Sequence, residues 1–179
     1  MRAFLALPIP EATAAALVRL QPLIPVGRPV PEENLHLTLA FLGDAPEAAL
    51  EDLHGMLQAL RAAPVEIGFT ALDSFTEMDR GLVFAAVERT AALQALHDRV
   101  AGLCRVAGLE LPRQRFRPHV TLMRANRRPD GPARDRLAAL LGPRPDVPGF
   151  TARALTLYQS TLTPRGALHD PLASYPLMG

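Results

Sequence analysis

Apolar and polar residues alternate in several short stretches of this chain, with the two-residue period that is typical of β-strands. Leu35, Leu37, Leu39 and Phe41 alternate with their neighbours, which predicts a strand that buries Phe41 together with the leucines. Strands are predicted by this criterion at residues 2–7, 35–42, 65–74, 81–88, 119–124, 150–161 and 174–178. Polar turns at residues 77–80 and 164–166 are expected to reverse the chain.

Apolar residues three or four positions apart predict helices at residues 11–21, 46–61, 91–107 and 133–141. Thr90 is suited to cap the third of these helices, and Gly108 is suited to end it. The elements therefore follow the order β-α-β-α-β-β-α-β-α-β-β, which predicts an α+β fold.

The phrase His-apolar-Thr-Leu occurs twice, beginning at His36 and at His119. Because side chains alternate faces along a strand, each histidine and the following Thr38 or Thr121 are expected to share one face, with the apolar residues on the other. The copies lie 83 residues apart, which suits a duplicated unit. We therefore expect residues 1–179 to form a single bilobal domain. In it, two antiparallel sheets with outer helices face each other across a central cleft, and each lobe contributes one histidine strand.

The composition is that of an ordinary globular protein, with 49% hydrophobic and 21% charged residues. No apolar run approaches the roughly 20 residues of a membrane span, and the short apolar N-terminus lacks the features of a secretion signal. The single cysteine, Cys104, rules out an intramolecular disulfide and a cysteine-based metal site. We therefore expect a cytoplasmic monomer without membrane association.

Charge is distributed unevenly along the chain, although its sum is only +1. All 19 basic residues are arginines: residues 1–100 carry 7 against 13 acids, a net charge of −6, and residues 101–179 carry 12 against 5, a net charge of +7. Six of them surround the second motif: Arg113, Arg115, Arg117, Arg124, Arg127 and Arg128. Guanidinium groups bind phosphate through paired hydrogen bonds, so this cluster favours a phosphate or RNA surface. A coding bias toward arginine, or a solvated loop, would explain it without a ligand.

Two imidazoles facing one cleft can catalyse displacement at phosphorus without a metal. One takes a proton from the attacking water and the other gives a proton to the leaving oxygen, while Thr38, Thr121 and Arg124 bind the charged phosphate oxygens. No cofactor is expected. A histidine-based metal site is a weaker alternative, because the chain has no His-x-His or His-x-x-x-His spacing.

Phe116 and Arg117 lie at the entry to the second motif and are candidate substrate-binding residues. Aromatic rings stack on bases without sequence preference. For Phe116 stacking and packing are equally open, and for Phe41 packing with the leucines is favoured over stacking. Three further histidines are given no catalytic role: His54, His97 and His169. The first two are expected at the surface and the third in a Pro/Gly-rich loop.

The two motifs resemble those of the two-histidine phosphoesterase superfamily, which is marked by a pair of His-x-[Thr/Ser]-x motifs. Several segments are similar to the bacterial RNA 2′,3′-cyclic phosphodiesterases, also called 2′-5′ RNA ligases: residues 2–7, 27–43, 116–124 and 155–162. The resemblance implies a bilobal α+β fold and hydrolysis of a 2′,3′-cyclic phosphate end of RNA to a 2′-phosphate. It also implies that His36 donates a proton to the 3′ leaving oxygen, that His119 activates water, and that Thr38 and Thr121 hold the phosphate.

Two alternatives remain open from the sequence. The same chemistry run in reverse joins RNA ends as a 2′-5′ ligase, although hydrolysis is favoured in water because the nucleophile is abundant. A non-catalytic module that binds RNA or nucleotides belongs to a different class. The expected partner is RNA with a 2′,3′-cyclic phosphate end, and small nucleotides are further candidate ligands.

Overall fold

Ten strands and four helices make up the described part of the computed structural model, which covers residues 1–77, 80–126, 129–164 and 166–179. The strands are β1 (Arg2–Pro8), β2 (Arg28–Pro29), β3 (His36–Asp44), β4 (Val65–Ile67), β5 (Phe69–Glu77), β6 (Arg80–Val87), β7 (His119–Ala125), β8 (Phe150–Ala152), β9 (Ala154–Thr163) and β10 (Gly166–Pro176). The helices are α1 (Glu11–Leu20), α2 (Glu47–Gln58), α3 (Ala91–Val106) and α4 (Gly131–Leu140). The centres of both predicted turns, together with Arg127 and Arg128 of the arginine cluster, lie outside the described residues.

Eight of the strands form one antiparallel sheet in the order β10-β9-β1-β3-β7-β6-β5, with β2 beside β7. The sheet has two halves, because β3 and β7 are joined through the single pair Leu37–Val120. Beyond that pair, β2 takes the place of β3 and pairs with Met123 and Arg124 of β7. Strands β4 and β8 form a separate two-stranded antiparallel sheet. The predicted α+β class with antiparallel sheets is therefore confirmed.

The hydrophobic core lies against one face of the large sheet and includes residues of α1, α2 and α3. Helix α3 packs against β3 and α2. Thr90 caps α3 as predicted, since its hydroxyl oxygen accepts a hydrogen bond from the Leu93 amide at 3.2 Å. Leu37 and Val120, where the two halves meet, are fully buried. No helix in the described ranges is long and apolar enough to cross a membrane.

Two predicted strands have the wrong extent because each divides between the two sheets. Residues 65–74 break at Gly68, so that β4 pairs with β8 while β5 pairs with β6. Residues 150–161 break at Arg153, which separates β8 from β9. An apolar pattern shows that a segment is extended but not which neighbour it pairs with, so each divided segment is predicted as one strand.

The last strand begins at Gly166 and not at residue 174 as predicted. It contains Asp170 and Pro171, residue types that are depleted in strands. Because β10 lies at the edge of the sheet, it tolerates a proline, and its register with β9 shifts between Pro171 and Ala173. His169 therefore lies on a strand and not in the loop that its neighbours indicated.

Candidate active site

The single pair that joins the two halves of the sheet also brings the two motifs together. Leu37 is the central residue of the first His-x-Thr and Val120 is the central residue of the second. Antiparallel pairing at these positions places a local two-fold axis between the motifs. Both central residues point into the core, so the polar residues are held on the opposite face of the sheet. Four half-buried side chains therefore surround the axis: His36, Thr38, His119 and Thr121.

A β-bulge in each motif changes which residues share this face. The register between β1 and β3 skips Leu39, and the register between β6 and β7 skips Leu122. The alternation reverses after each skipped leucine. Phe41 and Arg124 therefore turn to the side of the histidines, each at five residues beyond its own. The prediction that Phe41 is buried is wrong, because the bulge leaves its side chain 56% exposed.

The bulge before Arg124 is fixed by contacts from a distant part of the chain. The carbonyl oxygen of Leu122 accepts hydrogen bonds from the Val30 amide at 2.8 Å and from Nε2 of Gln21 at 3.1 Å. Gln21 is buried, and its Nε2 also donates to the Val30 carbonyl at 2.7 Å. Sequence reasoning did not identify Gln21, because no local pattern shows which carbonyl a buried amide will reach.

Gly27 lies against the same part of β7, and we expect its replacement by alanine to destabilise the protein. Its φ is +81°, and a Cβ at this position would lie 2.6 Å from the carbonyl oxygen of Arg124. The strained backbone and the clash together predict that Gly27→Ala lowers the free energy of unfolding by about 2–3 kcal/mol, measured by urea denaturation. Gly43→Ala is the matched control, since Gly43 has φ +63° but open space around its Cβ, and about 1 kcal/mol is expected there. Equal losses in the two variants would contradict the close approach.

A backbone carbonyl binds one nitrogen of each imidazole. Nδ1 of His36 lies 2.7 Å from the carbonyl oxygen of Asn34, and Nδ1 of His119 lies 2.7 Å from that of Arg117. A carbonyl can only accept, so each Nδ1 carries the proton and donates it. In the neutral ring Nε2 is then unprotonated, which leaves it able to take a proton from a substrate.

His36 is surrounded by rings from neighbouring strands. Its ring centroid lies 4.7 Å from that of Phe4 in β1, and Tyr158 of β9 stacks on Phe4 at 5.1 Å. His169 of β10 stands edge-on to His36, with centroids 5.1 Å apart and planes at 73°. These three residues were missed in the sequence, because only the pairing of β10, β9, β1 and β3 brings them to the site.

His119 has a similar surrounding in the other half of the sheet. Its ring lies 4.9 Å from Phe84 of β6, and Phe75 of β5 stacks on Phe84 at 4.3 Å. Phe75 also stands edge-on to His119 at 5.4 Å and 84°. The guanidinium of Arg117 lies over Phe75 at 4.4 Å, which places it beside the His119 ring and 3.8 Å from the Asp73 carboxylate.

Burial is the main cause that lowers the pKa of both imidazoles below 6.5, to about 4 for His36. The hydrogen bond to the carbonyl raises the pKa of each ring but is outweighed. Positive charge on Arg124 lowers both pKa values further. The charge of Arg117 also lowers the pKa of His119, and that of His169 also lowers the pKa of His36. Both rings are therefore neutral at pH 7 in the free protein, and the negative charge of a bound phosphate would favour their protonation.

A cleft of about 1330 Å³ extends from Thr38 and His119 to the arginine-rich loop. Phe41 and Phe116 line it, together with a set of arginines: Arg105, Arg113, Arg115 and Arg117. Phe116 stacks on His97 at 3.9 Å and 14°, so one face of its ring is covered. Arg127 and Arg128, also predicted for this surface, lie outside the described residues. Among the residues that the structure describes, no three His, Cys, Asp or Glu side chains are grouped to hold a metal ion.

Comparison with known proteins identifies the class of protein that has this fold and these paired His-x-Thr motifs. Residues 9–163 match the model of the 2′-5′ RNA ligase superfamily, and the chain belongs to this family. It is 33% identical to the RNA 2′,3′-cyclic phosphodiesterase of Thermus thermophilus, over 100% of this chain and 91% of that protein. It is 30% identical to the RNA 2′,3′-cyclic phosphodiesterase of Geobacillus stearothermophilus, of which it spans 57% of the length. The crystal structure of E. coli LigT complexed with 3′-AMP has the same fold, with a TM-score of 0.83 at 22% identity over 99% of this chain and 98% of that one. The resemblance found in the sequence is therefore confirmed.

Proposed function

We propose that this protein is a phosphoric diester hydrolase that opens the 2′,3′-cyclic phosphate end of RNA and leaves a 2′-phosphate. The observation that carries the proposal is the arrangement of two imidazoles about the Leu37–Val120 pair, each with its Nδ1 bound to a carbonyl. Displacement at phosphorus needs a base and an acid on opposite sides of the reacting atom, and a two-fold arrangement supplies both. The names of the relatives from Thermus thermophilus and Geobacillus stearothermophilus support the choice of substrate.

In this mechanism, Nε2 of His119 accepts a proton from water as the water oxygen forms a bond to phosphorus. The bond from phosphorus to the 3′ oxygen breaks, and the imidazolium of His36 gives its Nε2 proton to that oxygen. Bound phosphate favours the imidazolium of His36. Because burial lowers the pKa of this ring, its imidazolium gives up the proton readily. The proton gained by His119 then leaves to solvent, and His36 regains one.

Thr38, Thr121 and Arg124 bind the phosphate. The threonine hydroxyls share the face of the histidines and donate hydrogen bonds to the non-bridging oxygens. Arg124 acts on both imidazoles through its charge, which supports a position near the reacting centre. A guanidinium there stabilises the added negative charge of the transition state.

The RNA chain upstream of the cyclic phosphate lies along the cleft lined by the arginines. The exposed ring of Phe41 and the free face of Phe116 stack on bases, and Arg117 pairs with a backbone phosphate. Residues 1–179 act as one bilobal unit, because each half of the sheet supplies one histidine and one threonine. Small nucleotides are candidate ligands of the same cleft. The monomeric state and the cytoplasmic location stay predictions.

The pH dependence of kcat/KM is expected to be bell-shaped and to lie at acidic pH, since this ratio reports the free enzyme. Activity requires His36 protonated and His119 neutral. With the pKa of His36 at about 4 and that of His119 lowered from its usual 6.5, kcat/KM falls below pH 4 and falls again as pH rises past the pKa of His119. The kcat profile should lie at higher pH, because bound phosphate favours protonated imidazoles. A kcat/KM that stays constant between pH 7 and 9 would contradict this mechanism.

The decisive assay is incubation of the protein with an oligoribonucleotide ending in a 2′,3′-cyclic phosphate, in the presence of EDTA. We expect complete conversion to the 2′-phosphate, identified by its resistance to an enzyme that removes only 3′-phosphates. An intact cyclic end together with tight binding would favour the non-catalytic module. Adding a second oligonucleotide with a 5′-hydroxyl tests for the ligase, whose product would contain a 2′-5′ linkage. Loss of turnover with EDTA would favour a metal site.

A further inference from the structure

His169 joins the site from the outermost strand of one half of the sheet. It lies opposite Ser160 of β9, and its ring reaches Phe4 at 4.8 Å and 70° and His36 at 5.1 Å and 73°. Both contacts are edge-on. The ring of His169 therefore contacts both His36 and the phenyl ring against which His36 packs.

Both proposed catalytic imidazoles lie among aromatic rings from the strands beside them, and His36 has one ring more, because Tyr158 also lies 6.5 Å from it. Each lies against the tilted ring of a phenylalanine on the adjacent strand, Phe4 for His36 and Phe84 for His119. Each also has a second ring standing edge-on. For His119 that ring is Phe75 at 5.4 Å and 84°, and for His36 it is His169 at 5.1 Å and 73°. His169 thus stands edge-on to His36 as Phe75 does to His119, but it comes from one strand further out, since Tyr158 is the ring that stacks on Phe4.

The nitrogens of His169 indicate that its ring is uncharged near neutral pH. Its Nδ1 is buried and has no hydrogen-bond partner among the described residues. A proton on that nitrogen would be an unsatisfied buried donor, so the neutral form with the proton on Nε2 is favoured. Burial and Arg124 lower the pKa of His169, and the opposing effect of Asp170 is smaller. A buried nitrogen without a partner destabilises a fold and calls for a functional explanation.

We propose that His169 is a positioning residue, whose ring stands edge-on to His36, holds that imidazole against Phe4 and keeps water from it. The inference rests on the role of His36 in the proposed function. A ring held through one hydrogen bond can still pivot about it, so the Asn34 carbonyl alone does not fix the direction of Nε2. Contacts with Phe4 on one side and with His169 on another remove that freedom. The other groups whose charge acts on His36 are Arg124 and His119.

His169→Ala and His169→Phe test this role, with His54→Ala as the matched control. His54 is an imidazole outside the site, bonded through Nδ1 to the Tyr175 hydroxyl. For His169→Ala we expect kcat to fall about tenfold with KM changed less than twofold, because misplacement of a proton donor slows chemistry more than binding. For His169→Phe, which keeps a flat ring edge against His36 as Phe75 does against His119, we expect kcat within about threefold of the unmodified protein. His54→Ala should leave both constants unchanged.

Titration of His36 followed by NMR in the free protein gives a second readout that does not depend on turnover. In His169→Ala the pKa of His36 should rise from about 4 toward 6.5, because water reaches the ring and the charge of His169 is lost. In His169→Phe only the charge is lost, so the rise should be clearly smaller. An unchanged titration and unchanged kcat in His169→Ala would overturn the proposal. A His169→Phe variant as slow as His169→Ala would also overturn it, since the imidazole nitrogen would then contact the substrate.

Measurements on these variants also distinguish two further outcomes. If His169→Ala does not fold, His169→Leu fills the space without a flat ring edge. It should show the same tenfold loss of kcat, but a rise in the His36 pKa no larger than that in His169→Phe, because the leucine keeps water from the ring. If the unmodified protein does not hydrolyse the cyclic phosphate, the proposed function fails. The titrations of His36 then still decide whether His169 holds that ring.

Discussion

Replacement of His119 or His36 by alanine is expected to lower kcat for the cyclic phosphate by about 10²- to 10⁴-fold while leaving the fold intact. Both side chains are half-buried at the surface of the sheet, and the buried Leu37–Val120 pair beneath them is unchanged by either substitution. The loss should therefore be chemical, with a melting temperature close to that of the unmodified protein.

The residual activity of each variant tests which imidazole is the base. Without His36, the remaining base must be neutral, so the rate should rise with pH through the pKa of His119 and then stay constant. Without His119, the remaining acid must be protonated, so the rate should fall as pH rises through the pKa of His36. If the rate of the variant without His36 instead fell with pH, and that of the variant without His119 rose, the roles of acid and base would be reversed. His54→Ala is the control for loss of an imidazole elsewhere, and near-native activity in either site variant would contradict paired acid–base catalysis.

Replacement of Arg124 by alanine is expected to lower kcat/KM by about 10²- to 10³-fold, because a cation near the phosphate stabilises charge that develops in the transition state. Arg124→Lys should recover part of the loss, since an ammonium keeps the charge but lacks the paired donors of a guanidinium. Because Arg124 lowers the pKa of both histidines, its removal should also move both limbs of the kcat/KM profile to higher pH.

Arg134→Ala is the matched control for Arg124. Its side chain is 70% exposed on α4, beside Asp135, and its removal takes away the same charge outside the cleft. We expect kcat/KM to change less than twofold. A loss in Arg124→Ala no larger than this control, or a loss without movement of the pH limbs, would place Arg124 away from the reacting centre.

The sequence was most informative where a function depends on residues close together along one strand. Alternation placed each histidine and its threonine on one face, and the order of strands and helices predicted the α+β class. The same alternation gave the wrong side for Phe41, because a bulge at Leu39 adds one residue that no propensity reveals. Arg124 was selected for its charge and closeness to His119, and the bulge at Leu122 is what turns it toward that histidine.

The sequence by itself determined the parts from which the proposed chemistry is built: two His-x-Thr strands, an arginine-rich second half and a fold class that accommodates them. Only the tertiary structure decided how these parts meet. The pairing of Leu37 with Val120 created the two-fold arrangement, and the order β10-β9-β1-β3 brought His169 to His36 across 133 residues of chain. The physical reason is that side-chain alternation is set by each strand's own backbone, whereas register, bulges and strand neighbours are set by packing between segments far apart in sequence.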